Sequence, residues 1–276
     1  MTEQEPNELL GAGPQGPAPL APGAGSAGAP APSGRVTGGR PFYGAVAGIL
    51  VFDSTTPRVP GDPGHAATFP FPVLYEVVHG FTFEQLRTYD PATLTPVLDA
   101  ALRLESRGVH FIITDCGLFS LYQREIAATV NVPFVGSALS LIPLVLSTLS
   151  PVQKLGVLTG HTAYLGTHHL LAVGADLDRL AVVGMQDCTE FMRTVINGGP
   201  DLDVDALRRG TLSAAGVLRE RAPDLGAVVL ECPNLATFRR DLVDALQVPV
   251  FDIVLVAELL ASSLRLQGFA HRYPHR

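Results

Sequence analysis

The chain has 276 residues, 47% of them hydrophobic, and a net charge of −7 carried by only 16% charged residues. That is apolar material for one large cored domain or two small ones. It excludes the clustered Lys and Arg that nucleic-acid binding calls for. Three cysteines without close spacing make no disulfide framework and fit reduced thiols in a cytoplasmic protein.

Residues 1–40 are almost entirely Gly, Pro, Ala and Ser with scattered polar residues, and such a segment cannot bury enough apolar surface to offset its ordering entropy. It reads as a disordered tail without the basic start of a signal peptide, and residues 271–276 read as a frayed end. The run 44–52 is apolar on both faces, as in a strand of a helix-covered parallel sheet. A Pro- and Gly-rich stretch, 53–71, follows and is the expected lid of any site nearby. Residues 72–79 read as a second strand. Residues 90–108 carry helix signals: Asp90 as cap, Pro91, a 3.6-residue period and Gly108 at the end. A strand over 109–114, a helix over 118–130, a short strand over 132–136 and a helix over 137–149 with a kink at Pro143 complete the first half. The apolar stretch 132–149 approaches the length of a membrane span, but Pro133, Gly136 and Pro143 make it a strand and helix instead.

The second half repeats this order. Strands are expected over 154–159, 180–185, 225–230 and 248–252. Helices are expected over 161–174, within 189–222, over 234–246 and over 253–266. The halves coincide at particular residues. Each has a hydrophobic run, an acid and a cysteine (Asp115-Cys116 and Glu231-Cys232), then a helix, then a strand opening on Val-Pro. Alternating strands and helices imply α/β architecture with parallel sheets. The fold expected is two pseudo-symmetric lobes, 42–150 and 151–266, each a mostly parallel sheet flanked by helices, with the last helix packing back on the first lobe. Ligands of open α/β sheets bind at the carboxyl ends of the strands, so the site belongs in the cleft between the lobes. A thiol at a strand end opening onto a helix N-terminus is where a thiolate forms most easily, and the two cysteines lie 116 residues apart.

This pattern resembles the aspartate/glutamate/hydantoin racemase superfamily over about residues 42–266. Its carriers are GILVFDST (48–55), TDCG (114–117), KLGVLTGHT (154–162) and LECPN (230–234). The resemblance implies a cofactor-independent racemase or epimerase, needing neither pyridoxal phosphate nor metal. One thiolate would take the proton beside the carboxylate of a small-molecule substrate, and a thiol would return one to the opposite face. Cys116 and Cys232 would be that pair. Asp53 and Ser54 match an acid–hydroxyl pair that contacts a substrate amino group, although Asp53 also fits a plain turn cap. Thr159 and Thr162 fall where family members hold a carboxylate, and Thr162 fits an N-cap equally well. Gly117, Pro233 and Asn234 follow the two cysteines and would meet the substrate. Related racemases are commonly dimers.

From the residues themselves, Arg58 in the 57–64 loop suits a bidentate carboxylate clamp or a structural ion pair, and Asp62 sits in a Gly-Asp-Pro-Gly turn signal. Cys188 falls at no family motif position. The histidines have no metal-ligand spacing with any cysteine. The chain departs from the amino-acid racemases after both cysteines, where Asn-Thr and Thr-His give way to Gly117-Leu118 and Pro233-Asn234, so the assisting His is missing. The acids before the thiols either face the site, disfavouring thiolates, or anchor the sheet ends. These departures keep an isomerase or lyase using a cysteine nucleophile open, and with it a ligand-binding protein that has lost catalysis.

Overall fold

Strand β1 (Ala47–Phe52) sits between β2 (Val73–Val78) and β3 (Phe111–Thr114), and β3 pairs with β4 (Phe134–Val135), all in parallel. The second sheet repeats the plan in the order β6-β5-β7-β8, with β5 (Lys154–Thr159), β6 (Leu180–Gly184), β7 (Leu225–Leu230) and β8 (Val250–Phe251). This computed structural model describes residues 35, 38–81 and 83–264. Most of the expected tail and the frayed end lie outside them. The two sheets belong to one compact unit, an α/β fold of two parallel lobes flanked by helices.

The central strands are buried on both faces, which their β-branched, leucine-rich sequences permit. β1 and β5 each carry one glycine where a helix comes close. A Cβ on Gly48 would lie 2.9 Å from Leu104 of α2 (Thr95–Ser106), and one on Gly156 would lie 2.6 Å from Leu218 of α7 (Val204–Arg221). The sheet-facing sides of those helices are Val97, Ala100, Ala101 and Leu104 in one and Leu207, Ala214, Ala215 and Leu218 in the other, spaced at the helical period.

The second sheet divides its side chains between two cores. Val157, Ala227 and Val229 join the core of the first lobe, while Leu158, Val228 and Leu230 face α7 and α8 (Arg239–Leu246). The last helices are exchanged: α4 (Ile142–Thr148) and the 310 turn before it lie against β5 and β7, whereas α9 (Ile253–Ser263) lies against β3. Each half thus covers part of the other's sheet.

Several helices differ from the sequence expectation. After each cysteine the chain first makes a 310 turn, Gly117–Tyr122 or Pro233–Phe238, and only then α3 (Gln123–Thr129) or α8. Asp90 caps one 310 turn, Pro91–Thr93, rather than α2 itself, and α1 (Phe83–Arg87) precedes it. Pro143 stands in the first turn of α4, where its missing N–H costs nothing. The helix expected over 161–174 is only α5 (Thr167–Ala172); the His161 and Tyr164 region is a turn. Within 189–222 the chain makes α6 (Thr189–Phe191), a π-helical turn over Met192–Ile196, and then α7. No helix among the described residues is long and apolar enough to cross a membrane.

Candidate active site

The two strand ends that carry the cysteines are built alike. Beyond β3, the Asp115 N–H continues the ladder to the Leu50 carbonyl at 3.1 Å, and beyond β7, the Glu231 N–H reaches the Leu158 carbonyl at 2.8 Å. Each acid reaches across to the end of the neighbouring strand and also lines the cleft that the thiol after it faces. Asp115 Oδ1 accepts the Phe52 N–H at 2.8 Å, and Glu231 Oε2 accepts the Thr159 hydroxyl at 2.6 Å and the Gly160 N–H at 3.4 Å. Both acids are buried. They anchor the ends of β1 and β5 and also line the site beside the thiols, so both roles open from sequence are filled.

Cys116 and Cys232 face one cavity of about 440 Å³ between the carboxyl ends of the two sheets. Cys116 is half-buried and Cys232 buried. The lobes approach closely here: a Cβ on Gly117 would stand 2.1 Å from the Glu231 carbonyl oxygen. Burial, above all, pushes both thiols above the ordinary range, and the Glu231 carboxylate pushes them further. Backbone N–H groups of the following turns, at Leu118 and Asn234, act the other way. Both groups are thereby biased toward the thiol form.

Arg58 reaches the cavity from the 57–64 loop and is held between two acids. Its Nη2 lies 2.6 Å from Asp115 Oδ2, and its Nη1 lies 3.1 Å from Asp62 Oδ1. Burial opposes its charge, but Asp115 and Asp62 more than offset that and raise its pKa. Asp62, 2% exposed, also accepts the Gly64 N–H at 2.7 Å and the Asn234 side-chain amide at 2.6 Å. The turn-like Gly-Asp-Pro-Gly segment thus ties the first lobe to the second. The 53–71 stretch expected as a lid is pinned over residues 58–68: Gly61, at a φ of +102°, presses its backbone against Thr237, and the Thr68 hydroxyl bonds the Asp62 carbonyl at 2.6 Å.

Of the residues singled out from sequence, Asp53, Ser54, Arg58, Gly117, Thr159, Pro233 and Asn234 line the cavity with the two cysteines, and Thr162 does not. Thr162 is exposed, and its N–H meets Gln186 at 3.4 Å. Asp53 stands at the exposed rim, 2.9 Å from His79, and the Ser54 hydroxyl bonds that of Thr56. Thr159 gives its hydroxyl to Glu231. Sequence reasoning passed over His161 and Tyr164, stacked at 4.4 Å between ring centroids, and the apolar wall of Phe191, Val195 and Ile196. The first pair was legible in the repeat, since His161 occupies in β5's turn the place of Asp53 in β1's. The wall comes from the end of α6 and the π-helical turn that follows it, which has no sequence signature. Cys188 lies away from the cavity, beside Gly210. Among the described residues no cluster of three His, Cys, Asp or Glu is placed to hold a metal.

Residues 72–260 match the family model for Asp/Glu/hydantoin racemases. The chain is 31% identical over 219 residues to a dimethylsulfoniopropionate lyase of Durusdinium sp. clade D, covering 76% of this chain and 72% of that protein. It is 27% identical over 227 residues to dimethylsulfoniopropionate lyase 5 of Emiliania huxleyi, where the match spans 78% of this chain but only 45% of the relative. The fold is that of a variant of arylmalonate decarboxylase in a sulfate-associated form (TM-score 0.55, 16% identity, 82% of this chain and 97% of that one). It is also that of a glutamate racemase from Bacillus anthracis (TM-score 0.54, 12% identity, 80% and 81%). With its paired strand ends, its two thiols and a family match over most of its folded length, the chain belongs to the Asp/Glu/hydantoin racemase family.

Proposed function

We propose that this enzyme is a lyase that cleaves dimethylsulfoniopropionate, or a closely similar sulfonium carboxylate, by removing the proton next to the carboxylate. The observation that carries the reading is the 31% identity over 219 residues to a dimethylsulfoniopropionate lyase; the cavity supplies a mechanism. A thiolate at Cys116 takes the α-proton. The C–H electron pair becomes the carbon–carbon double bond, the bond from the β-carbon to sulfur breaks, and sulfur leaves with its electron pair as neutral dimethyl sulfide. The other product is acrylate, and the proton taken up by Cys116 returns to solvent.

Arg58, a cationic side chain of the wall, faces the substrate carboxylate and stabilises the charge that builds on it as the proton leaves. The positive sulfonium is met by the aromatic side chains of Phe52 and Phe191 in the wall, in a cleft that also holds Asp53, Asp115 and Glu231. A cationic substrate there offsets the carboxylates that disfavour the thiolate in the empty site. The cavity volume suits a small zwitterion.

Racemisation, expected from the sequence, shares the first step. It is favoured by one specific observation, the placement of a second thiol, Cys232, on the other wall. One experiment reads both. Purified reduced protein is incubated in D2O with dimethylsulfoniopropionate and, separately, with aspartate, glutamate and hydantoins, following dimethyl sulfide, acrylate and α-proton signals. Dimethyl sulfide and acrylate in equal amounts, lost in Cys116→Ser, is the expected result. Exchange of an amino-acid α-proton with no sulfide release would replace the lyase by a racemase.

A further inference from the structure

The two thiols are not equivalent, and the difference lies in what each meets besides substrate. The Asn234 amide donates from Nδ2 to Asp62 Oδ2 at 2.6 Å. Asp62 accepts from Arg58 at both oxygens and from the Gly64 N–H, so it acts here as an acceptor. This fixes the rotation of the amide: the nitrogen faces Asp62 and the oxygen faces Cys232, 3.5 Å from its Sγ. A carbonyl oxygen accepts an S–H and repels a thiolate. The backbone N–H two residues on, at Leu118 and Asn234, meets both thiols alike, so the side-chain oxygen of Asn234 is what sets Cys232 apart. We propose that Asn234, oriented by Asp62, is a positioning residue that keeps Cys232 a neutral thiol with its proton turned from the substrate, leaving Cys116 as the sole base.

This arrangement stands where the racemases of the resemblance carry a His, and it suits a reaction that removes a proton without returning one to the opposite face. The other groups near Cys232 are Glu231 beside it, Cys116 across the cleft, Asp62 behind the amide, the Arg58 guanidinium and His161 in the same wall. Burial raises the Cys232 pKa most, and Glu231, Cys116 and Asp62 add to it. The division of labour rests on the elimination reading above; the orientation of the amide does not.

The test is the pH dependence of iodoacetamide labelling at the Cys116 and Cys232 peptides, read by mass spectrometry on the intact wild-type protein, with dimethyl sulfide release measured on the same preparation. The midpoint for Cys232 is expected above that for Cys116. In Asn234→Ala the Cys232 midpoint falls, by about half a unit for one hydrogen bond of this kind, so labelling below the midpoint speeds up about threefold, while the Cys116 midpoint stays. Asp62→Asn lets the amide turn and moves Cys232 in the same direction. A wild-type Cys232 midpoint at or below that of Cys116, or one unmoved in Asn234→Ala, overturns the proposal even if dimethyl sulfide is released. Correct ordering without any release overturns the division of labour through the elimination reading and leaves the amide's orientation standing.

Discussion

Asp115 and Glu231 each stand one residue before a thiol of the site, and the hydrogen bonds that hold them decide how much they resist its ionisation. Glu231 is buried and its pKa is raised by that burial, with the Thr159 hydroxyl and the Gly160 N–H opposing. In Thr159→Val the carboxylate loses its best donor, so unfolding measured in denaturant should show a loss of about 1–3 kcal/mol. Because both thiol pKa values are raised, the thiolate fraction at neutral pH is small. kcat/KM should therefore climb with pH, close to tenfold per unit well below the Cys116 midpoint; a profile flat from pH 7 to 9 would remove the thiolate from the rate-limiting step. Replacing the base in Cys116→Ser should cost on the order of 10²–10⁴ in rate. Both cysteines, Arg58 and Asn234 stood out in the sequence because such residues at strand ends have chemical reasons to be there. Asp62 did not, because a Gly-Asp-Pro-Gly segment is explained as a turn before its contacts are known.

At the scale of elements, strands and their order were legible, since buried parallel strands leave continuous apolar runs and the repeat reinforces each assignment. Helix beginnings were not. The stretch 161–174 was expected as one helix, yet His161 folds back to cap the Ala163 N–H at 3.0 Å, and the helix starts only after Gly166. The 310 turns after the cysteines run directly into α3 and α8, so each pair was expected as a single helix. Gly117 begins one of these turns against the backbone of the other lobe. Gly117→Ala places a methyl group 2.1 Å from the Glu231 carbonyl oxygen, and no side-chain rotation relieves a clash with backbone. Thermal unfolding should reveal a loss of about 1–3 kcal/mol, with activity falling further than stability because the strand ends are pushed apart.

For the whole molecule, the Asp62–Arg58–Asp115 chain continues through Asn234 into the second lobe. Arg58→Met leaves two buried carboxylates without their cation and should destabilise the protein by about 3–5 kcal/mol, read as a lower urea midpoint at unchanged slope. An unchanged midpoint would mean that this chain does not hold the lobes. The duplication was visible in the sequence, and a return of the last helix to the first lobe was expected from it; the packing of α4 against the second sheet was not, because an amphipathic pattern shows that a helix is covered without showing by which sheet. That exchange has a consequence for how such a chain arises and for how it can be divided. A single half made alone would offer its closing helix to a partner and lack one for its own sheet, so two identical halves clasping one another satisfy the same plan. The chain reads as such a clasped pair joined end to end. Cut in the exposed link near Ser150, its halves should be recovered as a tight complex when produced together and as insoluble material when produced apart.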